Sequence, residues 1–188
     1  SKMLDYSNKL LISFIGNIGA LQNPEVFVEV MKSLDAEGLD DFQFLFIGDG
    51  IMLPSLKERV AEAGLQNITF VGRVEREYIP GYMHQSDILV ANYLSNEYLD
   101  ICIPGKLFEY AVSNKPIIMG SQGEAKNLIE RYNLGIAVAP SNVNAFKEAI
   151  LAIKDEKYKY NPDMEKFIDD YSLTKVVAKY NNIFLDIN

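Results

Sequence analysis

Short, almost continuous apolar runs constrain the fold of this chain more than any other feature, and the first two of them end at a glycine. Leu10–Ile15 runs into Gly16, and Phe42–Ile47 runs into Gly48. Runs of this length with little polar alternation are typical of strands that are covered on both faces, as in a parallel sheet. Glycine at the end of such a strand permits a sharp turn into the next segment.

Helical patterns separate these runs along most of the chain. Phe27, Val30, Met31 and Leu34 repeat at the spacing of one helix face, and Asn23-Pro24 is expected to supply an N-cap and a first-turn proline. Further strands are predicted over 68–71, 88–91, 116–119 and 135–138, with helices over 53–63, 79–85, 104–112, 124–132 and 172–185, the last capped by Ser172. The alternation predicts an α/β fold, a doubly wound, Rossmann-like parallel sheet of about six strands with helices on both faces.

Size and charge limit the classes of function. The 188 residues fit one domain spanning 1–188, and the composition is ordinary for a globular protein. A net charge of −8 argues against sequence-independent binding to nucleic acid or to anionic membranes. One cysteine and one histidine exclude an intrachain disulfide, make a zinc site implausible and are compatible with a reducing cytoplasm. No signal peptide or apolar run of about 20 residues is visible, and the short preamble before the first strand suits an excised domain.

The stretch around the fourth predicted helix combines a cation, a carboxylate and free backbone amides. Pro104 and Gly105 open the helix, and Lys106, Glu109 and Tyr110 follow at a spacing that lets their side chains neighbour one another. The first amides of a helix lack intrahelical partners and attract anions, so this arrangement suits a phosphate with a ribose attached. The pairs Leu107/Ala111 and Phe108/Val112 are expected to form the buried face of the helix.

Three candidate ligand-binding segments fall on one edge of the predicted sheet. The turn Gly16–Gly19 follows the first strand, Arg73 follows the third, and a loop leads into Lys106 after the fourth. In open parallel sheets, ligands bind beyond the carboxyl ends of the strands. We therefore expect a single ligand edge. For Arg73, a structural ion pair is an equally open interpretation.

The ordered series of motifs resembles the C-terminal, donor-binding half of GT-B retaining glycosyltransferases of family 4, the glycosyl transferases group 1, of the bacterial polysaccharide-biosynthesis type. The resemblance covers about residues 8 to 185. The matching segments, by number, are 14–19, 46–50, 67–74, 86–88, 106–110, 115–118 and 135–138.

The resemblance implies a set of ligand contacts. In the family, the glycine turn brings backbone amides to a diphosphate, and the glutamate matching Glu109 binds the ribose hydroxyls. By the same resemblance Lys106 neutralises the pyrophosphate and stabilises the leaving group. The implied nucleotide-sugar-binding residues are Gly16, Asn17, Gly19, Arg73, Val74, Gly105, Lys106, Leu107 and Glu109, with no metal ligand, no resident cofactor and no catalytic residue assigned.

The chain also departs from the family pattern. Asn17 and Gln22 stand where the family often has arginine and lysine, and Ile101 stands where the first of two paired glutamates is expected. Lys106 is the residue that supplies the missing positive charge in this interpretation.

The resemblance implies a glycosyltransferase that moves a sugar from a UDP- or GDP-linked donor to a saccharide or lipid-linked acceptor. An N-terminal acceptor domain of the same enzyme would be the partner, would carry any membrane contact, and would leave this piece inactive alone. The implied location is the cytoplasm, including the inner face of the membrane. A GT-B-like sugar-nucleotide epimerase half, an NAD-binding Rossmann module and a noncatalytic binding module stay open as alternatives.

Overall fold

A computed structural model describes residues 8–172 and 174–175 of the chain. Within these residues, six strands form one parallel sheet in the order β3-β2-β1-β4-β5-β6. The strands are β1 Leu10–Ile15, β2 Phe42–Ile47, β3 Ile68–Gly72, β4 Ile88–Asn92, β5 Ile117–Gly120 and β6 Gly135–Val138. The strand order reverses between β1 and β4, so the crevice between these two strands is the topological switch point of a doubly wound sheet. The α/β, Rossmann-like architecture predicted from the sequence is confirmed.

Helices cover both faces of the sheet in the described part of the chain. They are α1 Glu25–Ala36, α2 Leu53–Glu62, α3 Ile79–Gln85, α4 Gly105–Ala111, α5 Gly123–Arg131, α6 Val143–Lys154 and α7 Met164–Tyr171. The sheet and helices α1, α2 and α6 enclose one core, in which Phe27 contacts Phe14, Phe44, Phe46 and Phe146. The sheet and helices α3, α4, α5 and α7 enclose the other core.

Strand pleating explains how one strand serves both cores. In β1, Ile12 and Phe14 belong to the core on the α1 side, whereas Leu11 and Ile15 belong to the core on the α4 side. Successive side chains of a strand point to opposite faces, so a strand covered on both sides is apolar throughout. Ser13 is the polar exception in this strand, and its hydroxyl accepts a hydrogen bond from the buried Ser86 hydroxyl at 2.7 Å.

Several element ends differ from the sequence predictions. The prediction of Asn23 as the N-cap of α1 is wrong, because Pro24 occupies that position. Asn23 instead adopts a left-handed backbone with φ of 38° and donates from Nδ2 to the Ser141 hydroxyl at 2.8 Å. The Ser172 hydroxyl accepts from the Lys175 backbone N–H at 3.4 Å, as an N-cap does. The rest of the predicted helix over 172–185 lies outside the described residues.

None of the helices in the described residues is long and apolar enough to cross a membrane.

Candidate functional site

A cavity of about 950 Å³ lies at the carboxyl ends of β1, β2 and β3, beside the switch point. This volume is in the range of small-molecule sites. Its walls come from the turns after these strands and from helices α3 and α4. The lining residues are Ile15, Gly16, Asn17, Ile47, Gly48, Asp49, Gly50, Arg73, Val74, Glu75, Arg76, Ile79, Pro80, Met83, Lys106, Glu109 and Val112.

Close approach between two glycine turns shapes the floor of the cavity. A Cβ atom on Gly48 would lie 1.9 Å from the Gly16 carbonyl oxygen, and one on Gly50 would lie 2.3 Å from the Ile18 carbonyl oxygen. Gly16 and Gly48 also have φ values of 133° and 136°, which side-chain-bearing residues rarely adopt. Glycine is therefore required here, and the turns after β1 and β2 form one packed unit.

Lys106 reaches from α4 across the top of the sheet to the opposite core. Its Nζ lies 3.9 Å from the centre of the Phe14 ring, and a Cβ on Gly16 would meet Nζ at 2.9 Å. The Nζ is buried and has no hydrogen-bond partner among the described residues. Burial lowers the pKa of Lys106 to about 8, and the nearby Glu109 carboxylate opposes this shift. An unpaired ammonium beside a glycine turn is suited to receive an anion.

Glu109 lies one helical turn after Lys106 and is exposed to the cavity. Its carboxylate is close enough to help burial raise the pKa of Tyr93, which follows β4. Lys106 and Glu109 therefore present a cation and a hydrogen-bond acceptor to the same space. This arrangement can hold a phosphate and neighbouring hydroxyl groups together.

The far wall of the cavity begins where β3 ends. Arg73 is exposed and forms no salt bridge within residues 8–172 and 174–175, while Val74 is half-buried and packs on the α4-side core. Glu75 and Arg76 follow on the same wall, and α3 contributes the apolar lining. The wall joins apolar surface to charged groups, a combination suited to a flat, polar-edged ring such as a nucleobase.

Six of the nine predicted binding residues line the cavity: Gly16, Asn17, Arg73, Val74, Lys106 and Glu109. Leu107 lies outside the lining, because its side chain is fully buried in the α4-side core and its amide donates to the Pro104 carbonyl oxygen; its binding role stays a prediction. Gly19 and Gly105 lie outside the lining, so their binding role stays a prediction.

The predicted buried face of α4 also needs correction. Leu107 and Ala111 are fully buried, but Val112 is 66% exposed and lines the cavity. Tyr110 is fully buried instead, and its hydroxyl bonds the backbone of Ile15. The short helix therefore buries the Leu107–Tyr110–Ala111 side and turns Lys106, Glu109 and Val112 toward the cavity.

Sequence reasoning missed several residues of the site. Asp49, Glu75 and Arg76 line the cavity but are not among the predicted contacts, although all three follow strands that end at the predicted ligand edge. Asp49 shapes its own turn, since its carboxylate accepts from the Gly50 N–H at 2.7 Å. The position of these three residues relative to the strand ends is the sequence signal that could have identified them.

The departures from the family pattern have clear locations. The Asn17 amide and the Gln22 side-chain oxygen flank Gly19, where a Cβ would meet them at 2.5 and 2.8 Å. Ile101 lies outside the cavity lining and is 72% exposed. Its loop is tied to α5, because the Glu124 N–H donates to the Asp100 carbonyl oxygen at 2.8 Å.

Other potential ligand groups lie elsewhere. His84 is exposed on α3 outside the lining. Among residues 8–172 and 174–175, no group of three or more His, Cys, Asp and Glu side chains could hold a metal ion.

Solved structures share this fold at low sequence identity. Anabaena Alr3699/HepE, in complex with UDP and glucose, superposes with a TM-score of 0.79 at 13% identity, over 96% of this chain and 49% of that one. The C-terminal domain of a glycosyl transferase group 1 family protein (LpcC) from Francisella tularensis gives a TM-score of 0.65 at 22% identity, over 80% of this chain and 78% of that one.

Sequence comparison gives the family. The 2-deoxystreptamine N-acetyl-D-glucosaminyltransferase of Niallia circulans is 26% identical over 175 residues, which make up 92% of this chain but only 42% of that protein. The family described as glycosyl transferases group 1 matches residues 9–156. With its six-stranded parallel sheet and its cavity at the switch point, this chain belongs to the glycosyl transferases group 1 family.

Proposed function

We propose that this chain is the nucleotide-sugar-binding part of a retaining glycosyltransferase. The observation that carries the proposal is the convergence of Lys106, Glu109 and the Gly16 turn in one cavity at the switch point. UDP is the favoured nucleotide, because the HepE structures hold UDP, UDP with glucose, or UDP-glucose. GDP is the other nucleotide that we consider. The proposal that the reaction retains the anomeric configuration comes from the family resemblance.

In the proposed reaction, the bond between the sugar's anomeric carbon and the diphosphate oxygen breaks. A hydroxyl oxygen of a saccharide or lipid-linked acceptor forms the new bond to that carbon, and its proton passes to a base that this proposal places in an N-terminal domain of the same enzyme. Negative charge builds up on the departing diphosphate. Lys106 and the backbone amides after β1 are placed to stabilise that charge, and fixed donors in a partly dry site are effective at this task.

Glu109 has a different proposed role. Its carboxylate can accept hydrogen bonds from both ribose hydroxyls while Lys106, one turn earlier, engages the diphosphate. The β3–α3 wall, including Val74 and Arg73, would then face the base. We propose no metal ion for this half of the site.

The acceptor site and any catalytic base belong, in this proposal, to an N-terminal domain of the same enzyme. The chain spans 42% of the Niallia relative and 49% of HepE, which supports a two-part enzyme. Alone, this chain should bind nucleotide and transfer nothing. We also propose a cytoplasmic location, at the inner membrane face where the acceptor is lipid-linked, because the free Cys102 thiol is exposed and suits a reducing compartment.

Calorimetric titration with UDP and GDP tests the nucleotide assignment. We expect Glu109→Ala to weaken UDP binding about 10- to 100-fold, because hydrogen bonds to a charged acceptor are lost. Glu58→Ala, which removes an exposed glutamate of α2 outside the cavity, should bind like the wild type. Equal UDP affinity in the wild type and in Glu109→Ala would show that Glu109 does not bind the ribose. Binding of neither nucleotide by the wild type would overturn the proposed function.

A further inference from the structure

The two central strands separate just below the cavity. β1 pairs with β2 along its whole length, up to Ile15 opposite Ile47. Its pairing with β4 comprises only Ile12 with Ile88 and Ser13 with Leu89 in the described chain. The backbone of Ile15 on the β4 side therefore has no strand partner within the described residues, although it is buried. Buried peptide groups need hydrogen bonds, so another group must satisfy this one.

The Tyr110 hydroxyl occupies this gap. It accepts a hydrogen bond from the Ile15 N–H at 2.9 Å, and the Ile15 carbonyl oxygen lies 3.1 Å away as an acceptor for its proton. The Val90 carbonyl oxygen of β4 lies at 3.4 Å, a second acceptor for the same proton. The Tyr110 side chain therefore replaces the backbone hydrogen bonds that β1 and β4 do not form at this position. Burial raises the pKa of Tyr110, which keeps the hydroxyl neutral and able to donate.

The same helix places Lys106 in the same crevice one turn earlier. The Lys106 Nζ lies 6.0 Å from the centre of the Tyr110 ring and packs against Gly16, the residue that follows Ile15. α4 therefore contacts the end of β1 at two points, a neutral hydroxyl on Ile15 and an ammonium beside Gly16. The position of one contact depends on the other because both belong to a single seven-residue helix.

We propose that Tyr110 is a positioning residue for nucleotide binding: its hydroxyl fixes α4 to the end of β1 and thereby holds Lys106 against the Gly16 turn. This inference rests on the proposed function, since the diphosphate is the group that Lys106 and the turn would share. The role lies outside the binding contacts themselves, because Tyr110 is fully buried and does not line the cavity.

The pH dependence of UDP affinity distinguishes positioning from plain structural support. In the wild type, Lys106 loses its proton near pH 8, so UDP affinity should fall about tenfold between pH 7 and pH 9. The other charged groups that line the cavity are the carboxylates of Asp49, Glu75 and Glu109 and the guanidiniums of Arg73 and Arg76. Burial raises the pKa of Tyr93, so its hydroxyl stays neutral in this interval.

The test compares Tyr110→Phe with Tyr132→Phe in the full chain. Tyr132 is a second buried tyrosine, whose hydroxyl donates to Asp170 at 2.6 Å away from the cavity. Both variants lose one buried hydroxyl and should show lower thermal midpoints. We expect Tyr110→Phe alone to bind UDP about tenfold more weakly at pH 7. Its affinity should also change little between pH 7 and pH 9, since a displaced Lys106 regains water and keeps its proton.

Circular dichroism below the thermal midpoint establishes that each variant is folded during titration. If Tyr110→Phe is too unstable, the same titrations use Tyr110→Met, which keeps an apolar side chain without the hydroxyl. As a second measurement, the amide resonances of Ile15 and Gly16 in the wild type are followed by NMR during UDP addition. Wild-type affinity and pH dependence in folded Tyr110→Phe would overturn the inference while leaving the proposed function intact. Failure of the wild type to bind UDP would instead overturn the proposed function.

Discussion

Lys106 places a buried ammonium group where no charged partner lies in hydrogen-bonding reach among residues 8–172 and 174–175. Its Nζ packs on the Phe14 ring, and such contacts offset only part of the cost of removing an ammonium from water. A residue that lowers stability in this way is typical of a functional site, where the compensating anion arrives with the ligand. The stability of the free protein should therefore improve when this charge is removed.

Replacing Lys106 with methionine should stabilise the free protein at pH 7. The unfolded chain holds the lysine proton up to about pH 10.5, whereas the folded chain releases it near pH 8. The folded state thus binds fewer protons between these values, and wild-type stability rises with pH across the window. We expect Lys106→Met to gain up to about 3 kcal/mol in free energy of unfolding at pH 7, with the gain vanishing toward pH 10.5.

Urea unfolding at pH 7 and pH 10 measures this difference, and other titrating groups cancel between variant and wild type. Lys57→Met is the control, because Lys57 is exposed and its Nζ lies 5.8 Å from the Phe70 ring centre. That variant should stay within about 0.5 kcal/mol of the wild type. A Lys106→Met gain that is absent at pH 7, or equal at both pH values, would contradict the buried-charge account.

At the scale of residues, the sequence predicts where a side chain lies when a local motif fixes its position. Lys106 and Glu109 were placed in the site by their spacing at a helix start, and both line the cavity. Tyr110 has the same spacing but faces the core, because the gap between β1 and β4 accepts its hydroxyl. A gap between two strands is a tertiary feature, so a local pattern does not reveal it.

At the scale of elements, α7 supports the helix that carries the site. Phe167 of α7 is 2% exposed and stacks on Phe108 of α4 at 5.8 Å between ring centres. It also meets Tyr132 edge-on at 5.3 Å. The aromatic contacts join α4, α5 and α7 into one layer under the β4–β6 side of the sheet. Removing the central ring should destabilise the whole layer.

We expect Phe167→Ala to lower the free energy of unfolding by about 3 kcal/mol, because a buried aromatic side chain leaves a cavity. Ile168→Ala is the matched control, since Ile168 is adjacent in sequence but 56% exposed, and it should cost less than about 1 kcal/mol. Chemical unfolding followed by circular dichroism measures both. Similar losses in the two variants would show that α7 is not held by Phe167.

Element-scale prediction from sequence was accurate for strands and weaker for helix ends. The bounds of β1, β2 and β6 match the apolar runs, because continuous burial on both faces leaves a clear signal. The predicted start of α1 is wrong, because the Asn23 side chain hydrogen-bonds Ser141, a residue 118 positions away in sequence. The predicted burial of Val112 is wrong, because α4 is short and the exposed side of α4 faces an apolar-walled cavity rather than water alone.

At the scale of the whole molecule, the sheet order explains why the site lies where it does. The chain builds β1, β2 and β3 outward in one direction and β4, β5 and β6 in the other. Loops on the two sides leave opposite faces, so a crevice opens between β1 and β4. The alternation of elements predicted a parallel sheet and a single ligand edge. The strand order itself depends on which strand edges pair, and local sequence patterns do not indicate that pairing.

The central claim is that one cavity holds the diphosphate at the Gly16 turn and the ribose at Glu109. A crystal structure of this chain with UDP tests it most directly. We predict the diphosphate oxygens within hydrogen-bond distance of the Lys106 Nζ and of backbone amides in the Gly16 turn, and the ribose hydroxyls within reach of the Glu109 carboxylate. UDP bound outside this cavity, or bound inside it with the ribose away from Glu109, would contradict the account.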